Sequence, residues 1–104
     1  MMDGPAPQQE IEALRQLINR IDQQIVKLLD ERMQIAFQIG QLKSLLGKDV
    51  LDEQREAAVF ENIRSTTTRM LNQTQVEQLF IKIIKLGREF GEKGIAKKNI
   101  RKES

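Results

Sequence analysis

Residues 9–46 read QEIEALRQLINRIDQQIVKLLDERMQIAFQIGQLKSLL, and this stretch decides the fold class. It contains no proline and a single glycine, and its apolar residues recur at spacings of three and four. Such spacing is typical of a long helix with one apolar seam. The seam consists of Ile11, Leu14, Ile18, Ile21, Ile25, Leu28, Ile35, Ile39, Leu42 and Leu46. We therefore predict one very long first helix.

The predicted length of this helix has a consequence for assembly. At 1.5 Å per residue the helix is roughly 57 Å long, whereas a globule of this chain length is about 26 Å across. The helix must therefore protrude, kink or pack against another chain. A chain of 104 residues is one domain, and a short helical domain buries little core alone. We expect a homo-oligomer.

Two shorter helices follow in the sequence. We predict that Gly47 ends the first helix. The second helix is predicted over about residues 52–65, because Asp52 lies favourably at the positive end of a helix there. The polar, threonine-rich residues 65–72 form a loop by composition.

The third helix is predicted from a capping box, with Thr74 as the N-cap and Glu77 three residues later. Its apolar residues keep helical spacing, and we expect it to end near Gly91 and Gly94. The fold class is all-α, with three helices. We divide the chain into a flexible lead-in (1–8), a helical domain (9–93) and a basic, disordered tail (94–104).

The composition excludes several kinds of chemistry. The chain has no Cys, His, Trp or Tyr, so disulfides, Cys/His zinc sites, Ser-His-Asp triads and Cys nucleophiles are excluded. No run approaches 18 apolar residues, and no secretory signal is visible, so we expect a cytoplasmic protein that does not enter a membrane. The net charge is +2, and residues 93–104 alone contribute +4. The basic balance therefore reflects the tail, and no nucleic-acid partner is expected.

Arg32 interrupts the apolar seam of the first helix. An unpaired charge buried at such a position lowers the stability of the fold by on the order of several kcal/mol. Lys43 lies eleven residues on, about 20° away around the helix, so the two cations flank one stripe and could bind a small dianion. The alternative is that Arg32 pairs with a glutamate of a neighbouring helix and that Lys43 is a solvated flank.

Two further groups of charged residues have similar alternatives. Arg15 lies about 25 Å along the helix from Arg32; it is either a surface residue or, in an antiparallel dimer, a residue of the partner's site. Asp52, Arg55 and Glu56 share one face of the second helix. They form either an internal ion-pair cluster or a polar rim for a hydroxylated anion.

Three stretches of the sequence together resemble the all-helical chorismate mutases. They are LRQLINRIDQQIVKLLDERMQIAFQIGQLK (14–43), DEQRE (52–56) and LFIKIIKLGREF (79–90). The resemblance implies an intertwined helical homodimer that rearranges chorismate to prephenate without a cofactor or metal. It also implies that Arg15 crosses to the partner's site.

The resemblance assigns roles to individual residues of this chain. Arg15 and Arg32 would bind the substrate carboxylates, and Lys43 the ether oxygen and a carboxylate. Arg55 would lie near a carboxylate, and Asp52 and Glu56 near the ring hydroxyl. The apolar walls would comprise Ile39, Val59 and Ile84, and Gly87 would be a further substrate-binding residue.

One departure from the family pattern concerns the third helix. The family usually has a Gln there that contacts the ether oxygen, and this chain has Gly91 at the matching position. Loss of one such donor lowers a rate by about 10²- to 10³-fold. Three alternatives stay open: chemistry on isochorismate or aminodeoxychorismate, a catalytically weak regulatory or interaction dimer, and a need for a partner enzyme of the same pathway.

Overall fold

Three α-helices make up the fold of the chain. The computed structural model describes the backbone of residues 4–103 and the side chains of residues 4–97. Helix α1 spans Pro7–Leu45, α2 spans Glu53–Arg64 and α3 spans Gln73–Glu103. Residues 4–103 contain no β-strand. The predicted all-α class and the long first helix are confirmed. None of the described helices combines the length and apolar character that a membrane span requires.

The chain divides into two units at Arg32. The first unit contains the amino-terminal part of α1, where the apolar seam is solvent-exposed. Six seam residues there have between 48% and 63% of their surface exposed: Ile11, Leu14, Ile18, Ile21, Ile25 and Leu28. An unpartnered helical segment has nothing to bury these side chains against, so this unit has no core of its own.

The second unit consists of the rest of α1 together with α2 and α3. Its buried apolar side chains include one from each helix, namely Met33, Val59 and Ile84. Gly40, Gly91 and Gly94 are buried as well. A Cβ on residue 40 would overlap the carbonyl oxygen of Gly91, and a Cβ on residue 94 would overlap that of Phe37. Glycine therefore permits the close approach of α1 and α3.

The first helix ends as the sequence predicts. Gly47 has a φ of +66°, and the amide of Lys48 donates to the carbonyl of Lys43 at 2.9 Å. The amide of Gly47 donates to the carbonyl of Ser44 at 3.2 Å. These two bonds form a Schellman motif, which satisfies carbonyls that the helix end leaves unpaired. Helix α2 then begins after its N-cap, Asp52.

The predicted start of α3 is wrong by about two residues. Asn72, not Thr74, provides the cap: its Oδ1 accepts from the amide of Gln75 at 2.8 Å. In return, the Gln75 side chain accepts from the amide of Asn72 at 3.1 Å. This reciprocal pair is a capping box of the Asn-x-x-Gln kind, and it competes successfully with the overlapping Thr-x-x-Glu pattern.

The predicted end of α3 is also wrong, because the helix continues to Glu103. Glycine weakens a helix by about 1 kcal/mol relative to alanine. Gly91 and Gly94 nevertheless lie inside α3, where their contacts with α1 offset this cost. The backbone of residues 94–103 is thus helical rather than irregular. Residues 1–3 of the predicted lead-in and the side chains beyond residue 97 lie outside the described part.

Candidate active site

A cavity of about 220 Å³ lies within the second unit. Residues from all three helices and from the loop before α2 line it. The charged lining residues are Arg32, Lys43, Asp52, Arg55, Glu56 and Arg88. The remaining lining residues are Ile35, Ala36, Ile39, Gly40, Val50, Val59, Ile84, Gly87 and Gly91. Four cations and two carboxylates give the wall a net formal charge of two positive units.

Arg32 is partly buried in the wall of this cavity. Burial, and then the positive charge of Arg55, lower the pKa of the Arg32 guanidinium below its ordinary value. Its Nη1 atom lies 3.1 Å from where a Cβ of residue 87 would be, so Gly87 provides space for the guanidinium. The two positive charges repel each other, and an anion bound between them would relieve this repulsion.

Lys43 is held in place by the loop between α1 and α2. Its Nζ donates a hydrogen bond of 3.1 Å to the carbonyl oxygen of Val50, and the side chain is partly buried. An ammonium group carries three donors, so two remain for a ligand. The bond to Val50 fixes the direction of the ammonium without neutralising its charge.

The charged residues of α2 do not form the internal cluster that was one alternative. Asp52 Oδ1 accepts from the backbone amide of Arg55 at 2.9 Å, as an N-cap does. Glu56 Oε2 forms an ion pair with Nε of Arg88 at 2.8 Å. Within residues 4–97, no ion pair joins Arg55 to Asp52 or Glu56. Arg55 thus lines the cavity as a cation without a carboxylate partner in this part of the chain.

Arg15 belongs to the first unit. It is 69% exposed at its side chain and lies 3.9 Å from Glu12, one turn earlier on α1. Exposed pairs of this kind contribute little to stability. Within one protomer Arg15 is therefore a surface residue, and its predicted role across a dimer interface stays a prediction.

The structure brings most of the predicted site residues to one cavity, although their roles toward a ligand stay predictions. Nine of them line it: Arg32, Ile39, Lys43, Asp52, Arg55, Glu56, Val59, Ile84 and Gly87. Sequence reasoning missed Arg88 and Val50. A signal for Arg88 was present, because residues 84, 87, 88 and 91 share one face of a helix. No sequence signal singles out Val50, whose carbonyl acts through backbone geometry.

The arrangement favours binding of a small dianion. No cluster of carboxylates suited to a metal ion occurs among the described residues. Arginine and lysine groups bind carboxylates through charge-assisted hydrogen bonds, and the apolar residues between them suit a compact carbon skeleton. Fold and site together define a three-helix domain with a cationic cavity.

Comparison with known proteins identifies the family. A family model described as chorismate mutase type II matches residues 14–92. The chain belongs to the chorismate mutase type II family.

Individual relatives agree with this membership. The chain is 40% identical over 55 residues to the bifunctional chorismate mutase/prephenate dehydratase of Aquifex aeolicus, a match that covers 53% of this chain and 15% of that protein. It is 32% identical over 56 residues to the chorismate mutase of Methanocaldococcus jannaschii, covering 54% of this chain and 57% of that one. The matches thus span only part of these curated relatives.

A solved structure agrees in fold. The crystal structure of chorismate mutase from Helicobacter pylori, in complex with prephenate, superimposes with a TM-score of 0.77. The two chains are 24% identical, and the match covers 85% of this chain and 96% of the other. At this identity the likeness shows a shared fold.

Proposed function

We propose that this protein is a chorismate mutase that converts chorismate to prephenate. The observation that carries the proposal is the cavity of the second unit, whose wall has a net charge of two positive units around an apolar floor. Chorismate is a dianion with two carboxylates, so its charge is opposite to that of the cavity wall. Family membership over residues 14–92 supports the same reaction.

The reaction needs no group that the chain lacks. The rearrangement is unimolecular: one carbon–carbon bond forms as the ether carbon–oxygen bond breaks, and no proton is transferred to the protein. Catalysis can come from holding the substrate in its folded conformer and from stabilising negative charge on the ether oxygen. A chain without His or Cys can do both with cationic and amide groups.

Three of the four cations of the cavity have a proposed part in this reaction. Arg32 binds a carboxylate, because it is a partly desolvated cation beside Arg55. Lys43 donates to the ether oxygen and a carboxylate through the N–H groups that Val50 leaves available. Arg55 lies near a carboxylate of the bound substrate. Asp52 and Glu56 each use one oxygen within the protein, which leaves the other to accept from the ring hydroxyl.

The active form is proposed to be an intertwined homodimer. The exposed apolar seam of the first unit, Ile11 to Leu28, is a surface that a second copy of the same helix would bury. In that dimer Arg15 reaches the partner's cavity and binds a substrate carboxylate there. Each active site would then use both chains.

A second candidate reaction follows from Gly91. No side chain is available at the position where the family usually supplies a Gln to the ether oxygen. A pocket without that donor suits a related dianion, such as isochorismate or aminodeoxychorismate, in lyase or mutase chemistry. A weakly active dimer that works with another enzyme of the pathway is consistent with the same glycine. The fusion of mutase and dehydratase in the Aquifex relative supports a pathway partner.

The test is a direct assay on purified protein. Chorismate is mixed with the protein, and the loss of its ultraviolet absorbance is followed, with isochorismate in a parallel reaction and heat-inactivated protein as the blank. We expect chorismate to decay faster than in the blank. Decay of isochorismate alone would replace the proposed reaction with the second one. No decay of either substrate would contradict an enzymatic role for the isolated protein.

A further inference from the structure

Arg88 is a charged residue of the cavity that the family resemblance does not assign. Helix α3 contributes four residues to the cavity wall: Ile84, Gly87, Arg88 and Gly91. Ile84 is apolar, and the two glycines have no side chain. Among these four, Arg88 alone carries a side-chain hydrogen-bond donor. Any polar side-chain contact between α3 and a ligand in this cavity therefore comes from Arg88.

Glu56 fixes the orientation of Arg88. The Nε atom of Arg88 lies 2.8 Å from Glu56 Oε2 in an ion pair, and the two side chains are 44% and 24% exposed. A guanidinium has five N–H groups, and Nε carries only one. The two Nη groups, with four N–H donors, have no other ion-pair or hydrogen-bond partner in the described part of the chain. They form a planar fork that matches a carboxylate.

A larger residue at position 91 could not supply a side-chain donor unless its neighbours moved. A Cβ there would lie 3.0 Å and 3.3 Å from the two methyl carbons of Val50 and 3.7 Å from the carbonyl oxygen of Ala36. The space next to residue 91 is thus filled by α1 and by the loop before α2. Arg88 lies one turn earlier on the same face of α3, where the wall is open to the cavity.

The charge of the cavity agrees with a role for Arg88. Without it, three cations and two carboxylates give one net positive unit, and with it the wall carries two. A dicarboxylate substrate carries two negative charges, so the additional positive charge of Arg88 favours its binding.

We propose that Arg88 is a substrate-binding residue, and that its Nη groups donate to one carboxylate of the dianion while Glu56 positions it. This inference rests on the proposed function. It makes Glu56 a residue with two tasks: one oxygen holds Arg88, and the other is available to a substrate hydroxyl.

Steady-state kinetics with chorismate test this role. Arg88→Gln keeps a polar side chain but removes the charge and the fork. A carboxylate contact is present in both the ground state and the transition state, so its loss raises KM more than it lowers kcat. We expect KM to rise about 10- to 100-fold, with kcat within about threefold of the wild type.

Arg64→Gln is the matched control. Arg64 is also an ion-paired arginine on a helix, 2.7 Å from Glu77, and it lies outside the cavity. Its variant should keep the wild-type KM. Equal KM values for the two variants would overturn the inference while leaving the mutase activity standing. Thermal unfolding by circular dichroism checks that both variants fold.

Two further measurements cover the remaining outcomes. If Arg88→Gln does not fold, Arg88→Lys is used, and its KM should rise about 3- to 10-fold because an ammonium lacks the fork; an unchanged KM overturns the inference. If the wild type does not turn over chorismate, calorimetry with prephenate replaces the assay. Weaker binding by the Arg88→Gln variant than by the control then supports the inference although the proposed reaction fails. No binding to the wild type overturns both.

Discussion

The backbone carbonyl of Gly91 lies so close to Gly40 that a Cβ on residue 40 would overlap it. Because both groups in contact belong to the backbone, no change of rotamer can relieve such an overlap. Gly94 has the same relationship with Phe37, one turn later on α3 and one turn earlier on α1. The crossing of α1 and α3 therefore depends on glycine at residues 40 and 94.

Gly40→Ala is expected to destabilise the fold. Alanine gains up to about 1 kcal/mol of helix propensity, but overpacking a close contact costs about 1–3 kcal/mol, and backbone atoms place this contact at the upper end. We expect the free energy of unfolding to fall by about 1–2 kcal/mol, measured by urea denaturation. Gln38→Ala, at an exposed residue of α1, is the control and should not lose stability. An equally stable Gly40→Ala variant would contradict the close approach.

A donor at residue 91 should require space that Val50 now occupies. Gly91→Gln alone places its Cβ 3.0 Å from a Val50 methyl carbon, so we expect lower stability and no gain in rate. In the double variant Gly91→Gln/Val50→Ala, the space is available, and an ether-oxygen donor should raise kcat at least about 10-fold. The hydrogen bond donated by Lys43 Nζ is retained in this variant, because its acceptor is the main-chain carbonyl of residue 50. A Val50→Ala single variant with the same kcat as the double variant would contradict this explanation.

Arg32→Leu should separate activity from stability. The lowered pKa of Arg32 means that its charged form is less favourable in the folded protein than in the unfolded chain. At neutral pH the guanidinium is charged in both states, so it reduces stability, and removing it should leave Tm unchanged or higher. The kcat/KM for chorismate should fall at least about 10³-fold, because a substrate carboxylate loses its partner. Arg69→Leu, at an exposed loop residue, should change neither quantity, and an active Arg32→Leu variant would rule out the proposed site.

Mixing two inactive variants tests whether Arg15 acts in the partner's site. Arg15→Met and Arg32→Met each disable both sites of a homodimer. A heterodimer of the two has one site with both changes and one intact site. After unfolding and refolding an equal mixture, half of the dimers are mixed, so about a quarter of the wild-type activity should return. No recovery, with mixed dimers shown by mass spectrometry, would assign Arg15 to its own protomer's site.

The pH profile should be flat near neutrality. The chain contains no His and no Cys, and His is the side chain whose ordinary pKa lies between about 5 and 8. The proposed rearrangement also transfers no proton to the protein. We expect kcat/KM to vary less than about twofold between about pH 6.5 and 8.5. A bell-shaped profile in that range would indicate acid–base catalysis and contradict the mechanism.

Local sequence rules predicted the parts of this fold that depend on local physics. The seam of α1 follows from apolar spacing, and Gly47 and Asp52 mark helix ends because of backbone conformation and capping. The start of α3 was missed because two overlapping patterns, Asn72 with Gln75 and Thr74 with Glu77, satisfy the same rule. Only the folded chain shows which pair forms.

Tertiary contacts account for the other differences between prediction and structure. Gly91 and Gly94 indicate a helix end by propensity, yet packing against α1 keeps them inside α3. Arg88 lies on a helix face with Gly87 and Gly91. Because these glycines have no side chains, the sequence showed no group of functional side chains on that face. Its pairing with Glu56 depends on how α2 and α3 lie together, and no spacing along the chain specifies that.

The glycine contacts between α1 and α3 have a consequence for ligand choice. Where two main chains touch, the gap between them is set by atomic radii, so the walls that carry Arg32 and Arg88 have a preorganised separation. Side chains on α2 and on the loop before it are not fixed in this way. A broadening of the ligand repertoire would therefore begin with substitutions at Val50, Arg55 or Val59.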